Sequence, residues 1–251
     1  MTIGALLLFG FLIGLCNKQF YANLGNLGRP ICYITGFFGT PVHECAHALF
    51  CLIFGHKITE MKLFQVSDDG TLGYVCHSYN PKNFYHRIGN FFIGVAPIPV
   101  ISALLWLLSY FMVPEMFRAV TVEINQFDVT DGFTEVLKSI VDICGAVFSQ
   151  ADNYMWWIFV FIGMFFALHM TLSTEDIKGA LTGILFILGL LLVVDVILYI
   201  IGINVIVVFT HAITKVGGYL IGTLCLALLI SLIALGVSFL IKLIIKKVRR
   251  A

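Results

Sequence analysis

The chain has 251 residues, 60% of them hydrophobic and 12% charged, with a formal net charge of +1 and a mean hydropathy of +1.00. A soluble domain carries about a quarter charged residues, so this composition excludes an ordinary soluble protein and indicates a polytopic membrane protein. The near-neutral balance also excludes nucleic acid as a partner, since that would call for a basic face.

A membrane-crossing helix needs about 20 apolar residues. Six stretches come near that length: residues 3–16 (extendable to 21), 31–55, 88–113, 154–172, 180–201 and 219–244. The first has no basic leader and no small-residue cleavage site, so it reads as a retained anchor. The second contains His43-Glu44-Cys45-Ala46-His47. In this H-E-x-x-H pattern two histidines four apart share one helix face and can grip zinc, and the glutamate between them is placed to activate water. Ionisable groups at bilayer depth are costly and mark function. Pro41, preceded by Thr40, predicts a helix that starts inside the membrane with Thr40 as its cap.

Residues 58–66 and 71–79 are strand-like and flank Ser67-Asp68-Asp69-Gly70, a hairpin turn signal. After the third stretch, Phe133, Val136, Leu137, Ile140, Val141, Cys144, Val147 and Phe148 recur at helical spacing opposite Glu135, Lys138 and Asp142. That predicts an amphipathic helix on the outer side, within residues 130–149. His169 closes the fourth stretch, and Asp176 follows in the link to the fifth. Asp176 is a candidate third zinc ligand, but Ser173-x-x-Asp176 is equally a capping box opening a helix. Asp195, inside the fifth stretch, is a second candidate, although its place toward the outer end of that stretch favours a polar partner or water between helices; His169 reads first as an interfacial residue, with a role as ligand or partner of a ligand as the alternative. His77, His86 and His211 read as loop or interface residues. The seven cysteines are scattered without a C-x-x-C pair, which argues for small core residues such as Cys16, Cys45, Cys51 and Cys225 rather than a disulfide framework.

With six spans, ten Lys and Arg residues fall on the side of the 55–87 loop, the 173–179 link and the tail at 242–251. Five (Lys18, Arg29, Arg118, Lys138 and Lys215) fall on the other. The positive-inside rule then predicts both termini in the cytoplasm of a multi-pass cell-membrane protein, taken as a bacterial inner membrane, with the catalytic face toward the cytosol.

The membrane-embedded Val42-His43-Glu44-Cys45-Ala46-His47-Ala48, the hairpin after it, Gly94-Val95-Ala96-Pro97 and a later aspartate resemble the site-2 protease family of intramembrane zinc metalloproteases. The close part of the resemblance covers residues 39–55. It implies that His43, His47 and Asp176 hold Zn2+ and that Glu44 activates water. The chain departs from the family where an asparagine- and proline-containing stretch usually precedes an L-D-G aspartate. Leu172-Ser173-Thr174-Glu175-Asp176 stands there instead, and no PDZ-sized insertion is present.

The expected fold is thus a single all-α polytopic domain of about six transmembrane helices, with a small cytoplasmic β-hairpin (loop 56–88) and an outer amphipathic helix. The expected activity is hydrolysis of a membrane-associated polypeptide near the cytoplasmic leaflet. Two rivals are a non-proteolytic zinc-containing scaffold or assembly factor and a transporter using His43, Glu44, Asp176 and Asp195 as polar relays.

Overall fold

Long apolar runs with few breakers give long helices. In the computed structural model, which describes residues 2–67, 70–126, 133–201 and 205–248, α1 (Thr2–Leu24) turns through a short 3-10 segment (Gly25–Leu27) into α2 (Gly28–Ile53). Strands β1 (Lys57–Lys62) and β2 (Tyr74–Ser78) follow, then α3 (Phe84–Val95), α4 (Pro97–Met112), α5 (Pro114–Gln126), α6 (Phe133–Phe148), α7 (Tyr154–Ala167), α8 (Thr174–Ile201) and α9 (Val205–Val248). The expected turn residues Asp68 and Asp69, the side chains of Phe133, Val136, Asp195 and His211, and Arg249 and Arg250 lie outside what is described.

Two described helical segments are long and apolar enough to cross a bilayer, Thr174–Val194 and Gly217–Val248. A third span arises if α3 and α4, bent by 53° at their junction, count as one. The six full spans expected from hydropathy are thus not confirmed among the described residues, and the break between α3 and α4 has a local cause. Pro97 opens α4 without an N–H to continue the ladder of α3. The fourth stretch also stops early, at Ala167, because the link that follows turns its carbonyls toward neighbouring side chains. Ala167 O accepts from Asn17 Nδ2 at 2.9 Å, and His169 O lies 2.8 Å from His43 Nδ1.

Helix α2 departs from expectation in the other direction. It runs unbroken through Pro41, so Thr40 is an interior residue and not a cap. The missing proline donor costs one rung of the helix ladder, a loss that helices packed within a membrane bundle tolerate.

The core is formed by Ile98, Ile101 and Leu105 of α4, Trp156 and Phe159 of α7, and Leu224 to Ala227 and Ile230 of α9. Helix α5 buries Met116, Val120 and Ile124, one residue per turn. The amphipathic α6 caps the same end, burying Ile143 and Val147 while Glu135, Lys138 and Asp142 face outward. Of the cysteines, Cys51 and Cys225 are buried as expected, whereas Cys45 is exposed.

Packing of α1 on α9 bears on the expected topology. Asn23 Nδ2 donates to Ser238 Oγ at 3.2 Å and Lys242 Nζ donates to Asn23 Oδ1 at 3.2 Å. One step further along both elements, Gly25 to Leu27 border the same cavity as Lys242 and Lys246. The two helices therefore run in the same sense and finish together. If both cross the bilayer, the N-terminus lies opposite the basic tail, and two termini on one side are not what this packing gives. Lys18 and Arg29, counted on the far side from the tail by hydropathy, sit at its end of the bundle. The opposite end carries α5 and α6, where Ile124 meets Gly222 of α9. From Gly222 to Lys242 the helix rises about 30 Å, one hydrocarbon thickness.

The hairpin also differs from a loop beyond the end of α2. Its strands pair antiparallel, Lys57 with Ser78 and Lys62 with Tyr74, with an irregularity between Ile58 and Glu60. They are shorter than the expected 58–66 and 71–79. The hairpin doubles back along α2: Phe64 meets Phe37 edge-on, and Arg29 donates to Ser67 O at 3.4 Å. This places the segment 71–77 against the middle of α2, where His43 to His47 lie.

Candidate metal centre

On α2, the i, i+4 spacing sets His43 and His47 on one face, with their Nε2 atoms 3.1 Å apart. Each Nδ1 meets a backbone carbonyl: His43 that of His169 at 2.8 Å, His47 that of Ile93 at 2.7 Å. A carbonyl only accepts, so both Nδ1 atoms carry the proton and both Nε2 atoms present lone pairs. Asp176 completes the group, with Oδ1 3.2 Å from His47 Nε2 and Oδ2 3.8 Å from His43 Nε2. Three acceptors thus converge on one point, an arrangement that repels itself unless a cation or added protons lie between them. Two imidazoles and a carboxylate, with a cleft on the open side, match the donor set of a catalytic zinc site.

The capping geometry of Asp176 is realised, and the same carboxylate stands beside the two histidines. Ser173 N donates to Asp176 Oδ2 at 2.7 Å, and Asp176 N donates to Ser173 Oγ at 3.1 Å. The capping box opens α8, and by fixing the carboxylate it also aims it at the histidines. The backbones come this close because of glycine. A Cβ on Gly94 would lie 2.5 Å from Asp176 O and 2.8 Å from Ala180 N. One on Gly183 would lie 2.2 Å from Phe91 N. Asp195 is not brought to the centre, since its α8 backbone position is about 28 Å beyond that of Asp176 along the helix. His169 contributes its main-chain oxygen to His43. Its ring is held away, with Nε2 2.9 Å from Thr35 Oγ and 3.3 Å from Tyr21 OH.

Glu44 is 6% exposed and opens onto a cleft of about 390 Å³ together with His43, His47, Asp176, His77 and Asn90. The hairpin closes directly over it: a Cβ on Gly73 would sit 2.8 Å from Glu44 Cγ and 2.9 Å from Lys62 O. His77, read from sequence as a loop residue, lines this cleft. Its Nδ1 lies 3.0 Å from His56 Nδ1, and His56 Nε2 donates to His86 O at 2.9 Å. Since His56 carries its proton on Nε2, neutral His56 accepts at Nδ1 and His77 donates to it. Burial holds the His56 imidazole below its ordinary pKa; its hydrogen bond to the His86 carbonyl opposes this, and the charge of the His86 ring adds to it more weakly. Burial likewise lowers His77, with His56 next in importance. His56, Asn90 and Gly73 carry no sequence pattern of their own and were not foreseen. Only the strand placing His77 near residue 44 could have pointed to them.

Residues 36–126, less than half of the chain, match a protein family described as "Putative zincin peptidase". The matched stretch runs from the middle of α2 through the hairpin to the end of α5 and includes His43, Glu44 and His47; Asp176 lies beyond it. No curated protein and no solved structure matches the chain. The family match together with the three convergent groups supports a zinc metallopeptidase, in a chain with two to three helices able to span a membrane.

Proposed function

We propose that the chain is an intramembrane zinc endopeptidase of the site-2 protease kind, cutting a membrane-associated polypeptide near the cytoplasmic leaflet. The observation that carries this reading is the convergence of His43 Nε2, His47 Nε2 and Asp176 Oδ1 beside Glu44. These groups lie in an apolar bundle, where unpaired polar groups are costly.

His43, His47 and Asp176 would hold the zinc, which would supply Lewis acidity and a more acidic water. The carbonyls of His169 and Ile93 keep both imidazoles in the ligand tautomer. Glu44 takes a proton from water as its oxygen joins the carbonyl carbon, then passes that proton to the amine nitrogen as the C–N bond breaks. A helical substrate has its carbonyls bonded internally, so the cut segment must first unwind. Residues 71–77 of the hairpin border the cleft and offer main chain against which an unwound segment can align by β-augmentation.

The orientation follows from charge. Lys18, Arg29, Lys242, Lys246 and Lys247 belong to one end of the bundle, which the positive-inside rule puts in the cytoplasm. Leu168, one residue before the carbonyl that holds His43, packs with Phe20 and Leu24 at that same end. Purified protein should release fragments from fluorescein-labelled casein or from quenched transmembrane-segment peptides. Glu44→Gln should keep its zinc and lose this activity. Equal turnover by Glu44→Gln, or none by a zinc-loaded wild type across both substrates, would contradict the proposal and favour a scaffold.

A further inference from the structure

We infer that Asn90 is the substrate-positioning residue of this cleft, holding the main chain of an extended peptide; the inference rests on the peptidase reading above. Asn90 lies on α3, one turn before Ile93, whose carbonyl orients His47. It is only 7% exposed, and its side-chain amide has no hydrogen-bond partner among the described residues. Nor is it sealed in the protein: among the described residues, the polar side-chain atoms that are both enclosed and unpartnered belong to Asn17, Ser102 and Ser231. The amide of Asn90 instead opens onto the cleft that holds His43, Glu44, His47 and Asp176.

Other polar side chains of that wall already have partners. Ser173 is engaged in capping with Asp176, Glu175 is paired with Lys178, and Tyr74 donates to Glu60. A nearly buried amide left unpaired is expensive, and native proteins keep such groups where a ligand or water completes them. The chemistry of the group narrows the ligand. A carboxamide offers two N–H donors and one acceptor oxygen, the complement of the C=O and N–H of a peptide main chain. In a transmembrane helix those groups are bonded within the helix, so Asn90 can engage only a segment that has left the helical form. The substrate class is therefore an unwound, extended peptide stretch recognised through its backbone, whatever its side chains.

Two hydroxamates separate this inference from the peptidase reading. Acetohydroxamate chelates the metal and carries no peptide backbone; a tripeptide hydroxamate does both. Binding to full-length, zinc-loaded protein in detergent is measured for the wild type, Asn90→Ala, Asn90→Leu and Asn90→Gln, with zinc content and melting temperature alongside. The wild type should bind the tripeptide hydroxamate more tightly than acetohydroxamate. Asn90→Ala and Asn90→Leu should lose about tenfold for the tripeptide probe, the worth of one or two hydrogen bonds in a dry site. Acetohydroxamate affinity and zinc content should be unchanged, and Asn90→Gln, which keeps the amide, should recover part of the loss. Wild-type affinity for the tripeptide probe in the Ala and Leu variants would overturn the inference. So would parallel loss of both probes and of zinc, which would mean that Asn90 only supports α3. A wild type that binds neither hydroxamate would remove the zinc reading itself, and this inference with it.

Discussion

Gly94→Ala adds one methyl group and should strip the chain of tightly held zinc. The new Cβ would lie 2.5 Å from Asp176 O, 2.8 Å from Ala180 N and 3.0 Å from Ala180 Cβ. Two of these three neighbours are backbone atoms, which cannot rotate away. Ordinary contact begins near 3.4 Å, so α3 and α8 must part by about 1 Å at this crossing. Helix α3 carries the Ile93 carbonyl that orients His47, and α8 carries Asp176, so the shift opens the gap between two of the three proposed ligands. Overpacking of this kind costs about 1–3 kcal/mol of stability. Disturbing ligand support lowers metal affinity by about 10- to 100-fold. Chelator competition on purified protein measures the affinity, with Gly189→Ala as a control on the same helix because its added Cβ meets nothing within 4 Å. Wild-type zinc affinity in Gly94→Ala would refute the claim that the α3–α8 approach positions Asp176.

Ser173→Ala should cost about 1 kcal/mol through the lost cap and weaken zinc modestly, whereas Asp176→Ala should lose zinc almost entirely; equal zinc retention in the two variants by elemental analysis would count against Asp176 as a ligand. His56 and His77 resist protonation in the folded chain, so the unfolded chain binds more protons once the pH falls below about 6.5. Their contribution is therefore complete above that pH and is lost on acidification toward their lowered folded values, and melting curves between pH 7.5 and 5 should show a decline that His56→Gln flattens. An unchanged slope in that variant would dissociate the histidine pair from the pH response. For topology, single cysteines at Asn26 and Glu135 should respond oppositely to a membrane-impermeant reagent on intact cells, Glu135 reacting and Asn26 remaining protected. The reverse pattern would invert the orientation.

The local chemistry of the centre was legible because it is written in short-range spacing: i, i+4 for the histidines and i, i+3 for the Ser173–Asp176 box. The sequence left Asp176 open between cap and ligand, and the resolution is that one carboxylate fulfils the geometry of both, using Oδ2 for Ser173 and Oδ1 toward His47. Span counting was less legible because hydropathy reports apolarity and not where a helix stops. The 88–113 run is apolar throughout yet breaks at Pro97, and the run after Tyr154 ends at Ala167, where its carbonyls turn to side chains of α1 and α2. Side-of-membrane counting depends on that span count, and the long-range contacts of Asn23 with Ser238 and Lys242, which bring the ends of α1 and α9 together, are not written in hydropathy. Gly73, Asn90 and His56 were invisible for the same reason, since each matters through a neighbour far away in sequence.

The central claim is that His43, His47 and Asp176 hold one zinc ion. Its most direct test is the zinc content of protein purified without added metal, compared with His43→Ala prepared identically. The account predicts close to one zinc per wild-type chain and nearly none in the variant. Equal zinc in the two proteins would contradict it, and so would a wild type that binds no zinc even when it is supplied.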